Sequence, residues 1–185
     1  MQTILPPLSI QDHLRGDPDA TVTLIEYGDY QCRYCASAEP VIEAVLRRCA
    51  GVRQTFRHFP ITAVHDLAKL AAETAEFAAR HDRFWQTHGA LMAQSANLTT
   101  PMLLSLAGRL GLPMDDLRAV LFSGTFTAKV GHDFARGVLN GVDATPTLFI
   151  NEKRYIGPMT VGALSAAIDA AREAVVITTR IQGRA

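Results

Sequence analysis

Between Ala20 and Tyr30 the chain reads ATVTLIEYGDY, with Val22, Leu24 and Tyr27 interleaved with Thr23 and Ile25. β-Branched and aromatic residues dominate, which predicts a mostly buried strand. From Arg33 to Ala50 the period changes. Ala38, Val41, Ile42, Val45, Leu46 and Cys49 trace one face of a helix, and Gly51 is its natural stop. Alternation returns in VRQTFRHF, where Val52, Gln54, Phe56 and His58 share a face until Pro60 ends the strand. A strand, helix and strand of these lengths predict a right-handed βαβ unit with parallel pairing. Pro40 falls inside the helix and is expected to kink it.

The middle of the chain is helical in pattern. Asp66 is the expected N-cap of the alanine-rich LAKLAAETAEFAAR. RFWQTHGALMAQ follows as a second helix, and Phe77, Phe84, Trp85 and Met92 read as core. His81 and His88 read as a solvated pair on a helix face. Thr100 and Pro101 are the expected N-cap and first position of a third helix closing at Gly111. MDDLRAVLFSG begins with acids and ends in Gly124, matching dipole and C-cap preferences. FTAKVGHDFARGVLNG adds one more helix, and the short turns predict a compact block. Strand character then returns in TPTLFI (Thr145 to Ile150). NEKR is the expected turn and YIG a second short strand. Thr160 caps VGALSAAIDAAREA, whose stripe is Leu164, Ile168 and Ala171. The tail VVITTRIQGRA fits helix, strand or disorder. The order βαβ, helices, ββα predicts an α/β sheet split by a helical insertion.

Composition narrows the class. The chain has 185 residues, 48% hydrophobic, enough for one core and one domain over 1–185. Its formal net charge of +0 gives no basic footprint for nucleic acid. No apolar run approaches the roughly 20 residues of a membrane helix. The leading segment has no basic n-region, and Pro6 and Pro7 interrupt its apolar stretch, unlike a signal peptide. The expected location is cytoplasmic if Met1 is the natural start, periplasmic if a leader has been removed.

Cys32 and Cys35 stand two residues apart where the strand gives way to the helix. Such a pair can hold a metal, lock a structure or exchange electrons. A structural zinc site takes four ligands, commonly in two pairs, and this chain has one pair and six histidines without compact spacing. No metal and no cofactor are expected. At a helix N-terminus, unsatisfied N–H groups and the helix dipole stabilise a thiolate, so Cys32 should ionise below the free value of about 8.5. Cys35, one turn on, is placed to resolve a mixed disulfide; the bland alternative is an inert bridge. Glu26 is an acid in an apolar strand. Burial would raise its pKa and equip it to exchange a proton with Cys35, unless its strand face opens to solvent. Cys49 reads as a small packed thiol, with a regulatory or dimerising role as the alternative. His58, at the end of the second strand, fits the site, core or surface equally.

Taken together, TVTLIEYGDY, CRYC, the helical insert and GVDATPTLFIN resemble the DsbA-like branch of the thioredoxin superfamily, from about Ala20 to Glu173. The resemblance implies a thioredoxin-like fold with its thioredoxin-like parts at about 18–62 and 141–174 and the helical insertion at about 63–140. It also implies thiol–disulfide exchange. By the same resemblance Pro146 is a cis-proline abutting the cysteines, and the backbone of Thr145 pairs with a substrate's extended chain. Glu26 matches the family's buried acid. Arg33 and Tyr34, the dipeptide between the cysteines, tune the redox potential. They depart from the Pro-His of oxidising members and the Gly-Pro of thioredoxins: Arg33 adds positive charge, and Tyr34 lacks an imidazole.

The expected activity is therefore disulfide reduction or exchange on a protein or glutathione-like substrate, with a redox partner. A glutathione-dependent transferase or isomerase on this fold is a rival, disfavoured because such enzymes usually keep a single serine or cysteine where CRYC is intact. A non-catalytic module docking partners on its insert is another.

Overall fold

The computed structural model describes residues 8–182, with side chains described through 176. The sequence reading of the leading segment falls partly on residues 1–7, and that of the tail partly on 183–185, outside the described residues. The chain is a mixed α/β fold whose residues divide into two compact units.

Of the described residues, the first unit comprises 8–26, 40–56 and 147–182. It carries a five-stranded sheet in the order β1-β3-β2-β4-β5. Its strands are β1 (His13–Gly16), β2 (Val22–Gly28), β3 (Val52–His58), β4 (Thr147–Ile150) and β5 (Lys153–Arg154). β2 and β3 are neighbours joined through α1 (Arg33–Arg48), and the last residues of both strands belong to the second unit. Val22, Leu24, Val52 and Phe56 are buried, as the alternation requires, and so are Ile42 and Val45 of α1. Gly51, at φ +66°, ends the turn after α1. α7 (Val161–Gln182) buries Leu164 and Ile168, and Thr160 caps it by accepting from the Ala163 N–H at 3.3 Å. Of the readings open for the tail, helix holds as far as Gln182.

Two strands depart from expectation. β1 pairs antiparallel with β3, His13 opposite Phe56, and was not expected: four residues of HLRG carry no apolar alternation. The hairpin after β4 is tighter than expected. Asn151 and Glu152 alone make its turn, with Asn151 at φ +52°, and Ile150 pairs with Lys153. The second strand is thus Lys153–Arg154 rather than YIG, because a two-residue hairpin loop demands the left-handed conformation that asparagine tolerates. Cys49 is half-buried rather than enclosed, and its Sγ donates to Ser165 Oγ at 3.5 Å.

The second unit comprises 27–39 and 57–146. It holds α2 (Ala68–Ala79), α3 (Phe84–Ala93), α4 (Thr100–Arg109), α5 (Met114–Ser123) and α6 (Thr127–Leu139). Phe77, Ala78, Ala107, Leu112, Leu117 and Phe126 form one core cluster. Phe84 and Met92 are buried, and Trp85 is half-buried. Three local readings are corrected. The N-cap of α2 is Leu67, not Asp66. No side chain caps the first turn; the Leu67 N–H donates to Gln31 Oε1 at 2.5 Å and Gln31 Nε2 donates to Asp66 at 3.4 Å. α4 starts one residue early: Thr99 is the cap, accepting from the Met102 N–H at 3.2 Å, with Pro101 inside the first turn. His81 lies exposed in the turn after α2, whereas His88 is fully buried in α3, so the two share no solvated face.

Candidate active site

The chain leaves β2 at Gly28, turns through Asp29–Gln31 and enters α1. Cys32 is the capping residue of that helix. Its carbonyl accepts the first helical bond, from the Ala36 N–H at 3.1 Å, and its own N–H donates to the Asp29 carbonyl at 3.1 Å. A side chain at this position faces the free N–H groups of the helix's first turn, where an oxygen usually serves as acceptor. Here the acceptor is a sulfur. Cys32 is 6% exposed and Cys35, one turn deeper, is wholly buried. Both are free thiols.

The Cys32 pKa is lowered to about 5. The hydrogen bond from the Cys35 thiol is the largest cause. Burial opposes it, and the Thr145 side chain and the backbone N–H groups of Cys35 and Tyr34 reinforce it. Each of these donors bonds the thiolate more strongly than the thiol, which is the direction expected at a helix N-terminus. In the thiol form Cys32 Sγ donates to the Thr145 carbonyl at 3.2 Å. The Thr145–Pro146 peptide bond is cis. Residues more than a hundred positions apart in sequence therefore meet at the sulfur.

Arg33 and Tyr34 lie on the outside. The Arg33 guanidinium donates to Tyr34 OH at 2.8 Å and sits 4.8 Å from the centroid of its ring. Its pKa is raised, first by that hydrogen bond, with the charge on Cys32 the smallest contribution. Arg33 thus spends its donors on Tyr34 more than on the sulfur. Glu26, in the first unit, is fully buried and accepts from Gln54 Nε2 at 2.8 Å. Gln54 Oε1 in turn accepts from Arg15 Nε at 2.7 Å. The acid is therefore held by an amide relay, which the inward-facing glutamine of β3 signalled and the sequence reading did not use.

Sequence reasoning also missed Asp29. Its carboxylate is buried and accepts from the Gln31 N–H, the Ile61 N–H and His65 Nδ1, each at 2.8 Å. Its own N–H reaches Cys35 Sγ at 3.5 Å. A charged residue at the end of an apolar strand was the available signal. Nearby, Tyr30 OH lies 3.1 Å from His88 Nδ1, and His88 Nε2 lies 3.1 Å from Glu39 of α1. His58 is not at the surface: it is buried, with Nε2 2.8 Å from Glu76. Among the described residues, His58, Glu76 and Asp133 form a group with metal-ligand spacing. Lys129 Nζ is 2.6 Å from Asp133 and 3.6 Å from Glu76, so an ammonium already balances those carboxylates.

The family described as Thioredoxin matches residues 8–170. In sequence the chain is 40% identical over 158 residues to a Na(+)/H(+) antiporter NhaA 3 of Salinispora tropica, covering 85% of this chain and 24% of that protein. It is 39% identical over 161 residues to NhaA 1 of Salinispora arenicola, covering 87% and 25%. The chain spans about a quarter of the length of these curated relatives. In structure it is similar to a thioredoxin-like oxidoreductase from Silicibacter pomeroyi, with TM-score 0.80, 25% identity, and coverage of 89% of this chain and 94% of that one. BdbD of Bacillus subtilis, at TM-score 0.77 and 24% identity, covers 85% and 91%. α-DsbA1 of Wolbachia pipientis, at TM-score 0.82 and 18% identity, covers 97% and 100%, and shares the fold.

Proposed function

This chain belongs to the thioredoxin family, and from that premise we propose that it is a DsbA-like thiol–disulfide oxidoreductase that reduces or exchanges disulfides through Cys32 and Cys35. The observation that carries the proposal is the Cys32 sulfur at the helix cap, with buried Cys35 one turn deeper and the Thr145 carbonyl 3.2 Å from the sulfur. The Cys32 thiolate attacks one sulfur of a substrate disulfide. A mixed disulfide forms, and the other substrate sulfur leaves as a thiolate that takes up a proton. Cys35 then loses its proton and attacks Cys32 Sγ. The Cys32–Cys35 disulfide forms and the second substrate thiolate departs. The substrate has gained two electrons and the cysteine pair has lost them.

In this reading Thr145 is the docking edge, and Pro146 sets its approach to Cys32 Sγ; the 3.2 Å contact at the Thr145 carbonyl supports it. Exposed Arg33 and Tyr34 meet the substrate and tune the potential. Glu26, buried and hydrogen-bonded to Gln54, is kept as a proposed acid–base residue. A Cys32 pKa of about 5 lies between the values of about 7 for thioredoxin and about 3.5 for DsbA, so the potential should fall between about −270 and −120 mV. A cytoplasmic glutathione pool holds such a pair largely reduced, and net reduction or exchange there is the proposed direction. Two measurements test this: equilibration of the purified protein with defined glutathione ratios, and reduction of insulin in the presence of dithiothreitol. No insulin reduction above a Cys32→Ser control defeats the catalytic reading. A potential above about −150 mV reverses the direction to oxidation.

A further inference from the structure

Resting on that exchange reading, we propose that the Asp29–His65 pair is a positioning device for the resolving cysteine, setting the rate at which Cys35 closes on Cys32. Asp29 contacts both cysteines through its backbone. Its N–H points at Cys35 Sγ, 3.5 Å away, and its carbonyl accepts the Cys32 N–H at 3.1 Å. One peptide unit on each side of a single residue thus addresses each cysteine, but only the N–H side reaches a sulfur, so the effect of rotating that residue falls chiefly on Cys35.

The carboxylate prevents the rotation. Oδ1 accepts from the Gln31 N–H, which closes the turn locally, and Oδ2 accepts from the Ile61 N–H and His65 Nδ1. The 61–65 segment is itself braced, with the Val64 and His65 N–H groups both donating to the Ile61 carbonyl at 3.0 Å. The cysteine turn is thereby tied to a second, self-bonded turn through a charge-assisted contact.

The second step of exchange has an electrostatic requirement that this arrangement meets. Cys35 must become negative in a wholly buried place, where an N–H aimed at the sulfur favours the charged form and a neighbouring carboxylate opposes it. Three donors converging on Asp29 draw its charge away from the sulfur. His65 is the one member of the pair in contact with solvent, its side chain 25% exposed against 0% for Asp29. It can therefore be replaced without opening the core. The first step has different supports: the Cys32 thiolate is held by the Cys35 thiol, the Thr145 side chain and the N–H groups of Tyr34 and Cys35. Loss of His65 should therefore act mainly on resolution and little on attack.

Reaction of the reduced protein with 5,5′-dithiobis(2-nitrobenzoate), in a Cys49→Ala background, separates the two steps. Cys32 attack releases one thionitrobenzoate at a rate that depends on reagent concentration. Cys35 closure releases the second at a rate that does not. His65→Ala should slow the second release about tenfold, the scale of a lost charge-assisted hydrogen bond, and leave the first within about threefold. His65→Asn, which returns a donor near the Nδ1 position, should recover most of the second rate. The inference is overturned if His65→Ala leaves the second release unchanged, if it slows both releases equally, or if His65→Asn is as slow as His65→Ala. A parent protein that never makes the second release overturns the exchange reading itself, and this inference with it.

Discussion

At Cys32 a sulfur stands where a helix usually places a capping oxygen, so its charge is a consequence of backbone geometry and of the thiol one turn below it. The alkylation rate of Cys32 with iodoacetamide should rise through a midpoint near pH 5 and be flat by neutrality. Below the midpoint the sulfur is protonated and unreactive; above it the thiolate fraction is already complete. Buried Cys35 and half-buried Cys49 should react more slowly at pH 7. Mass-spectrometric site assignment across a pH series checks this, and equal rates for all three thiols would contradict it. Tyr34 offers a second test. Replacing it with histidine supplies a donor that favours the thiolate, which should lower the Cys32 pKa and stabilise the reduced pair. The potential should rise by about 30 mV for each pKa unit lowered, read by glutathione equilibration.

Helix α6 shows how an element is held by the absence of a side chain. A Cβ at Gly137 would stand 2.6 Å from Phe59 Cδ2, 2.7 Å from its Cε2 and 3.1 Å from Tyr27 Cδ1. The Phe59 ring cannot easily withdraw, because it stacks on Phe134 at 4.4 Å and meets Tyr27 edge-on at 6.3 Å. Gly137→Ala would gain helix propensity and lose close packing, and the second effect is larger. We expect a net destabilisation of about 1–3 kcal/mol, measured by urea unfolding. A variant as stable as the parent would mean that the aromatic pair yields at little cost.

For the molecule as a whole, redox state and stability are linked through one proton. Folding lowers the Cys32 pKa from its ordinary value to about 5. The stabilisation from the folded thiolate is complete above the unfolded value, declines as pH falls towards 5, and is gone below it. The disulfide form has no thiolate to protonate and lacks this dependence. The difference in melting temperature, reduced minus oxidised, should therefore increase between pH 5 and pH 9. Calorimetry on the two forms across that range measures it, and a difference independent of pH would show that the Cys32 thiolate is not stabilised by folding.

Much of this architecture was legible in hydrophobic period alone. β2, α1, β3 and the alanine-rich helices announced themselves because local burial writes a period of two or near four into the chain. Cys32 was legible as a nucleophile because helix-end electrostatics are local. The short elements were not: β1 and β5 contain too few residues to carry a period, and exist through the partners they pair with. The cap of α2 was misplaced on Asp66 because that carboxylate accepts from Gln31, 35 residues away, and not from the first turn of the helix. The same holds for the site. Nothing near Asp29 in sequence shows that His65 and Ile61 would claim its carboxylate, nor that Thr145 would reach Cys32 across 113 residues. Sequence by itself determined which residues could ionise, cap and pack; which of them meet was decided only by the tertiary structure, because hydrogen bonds and charge act through space and leave no mark in the local pattern.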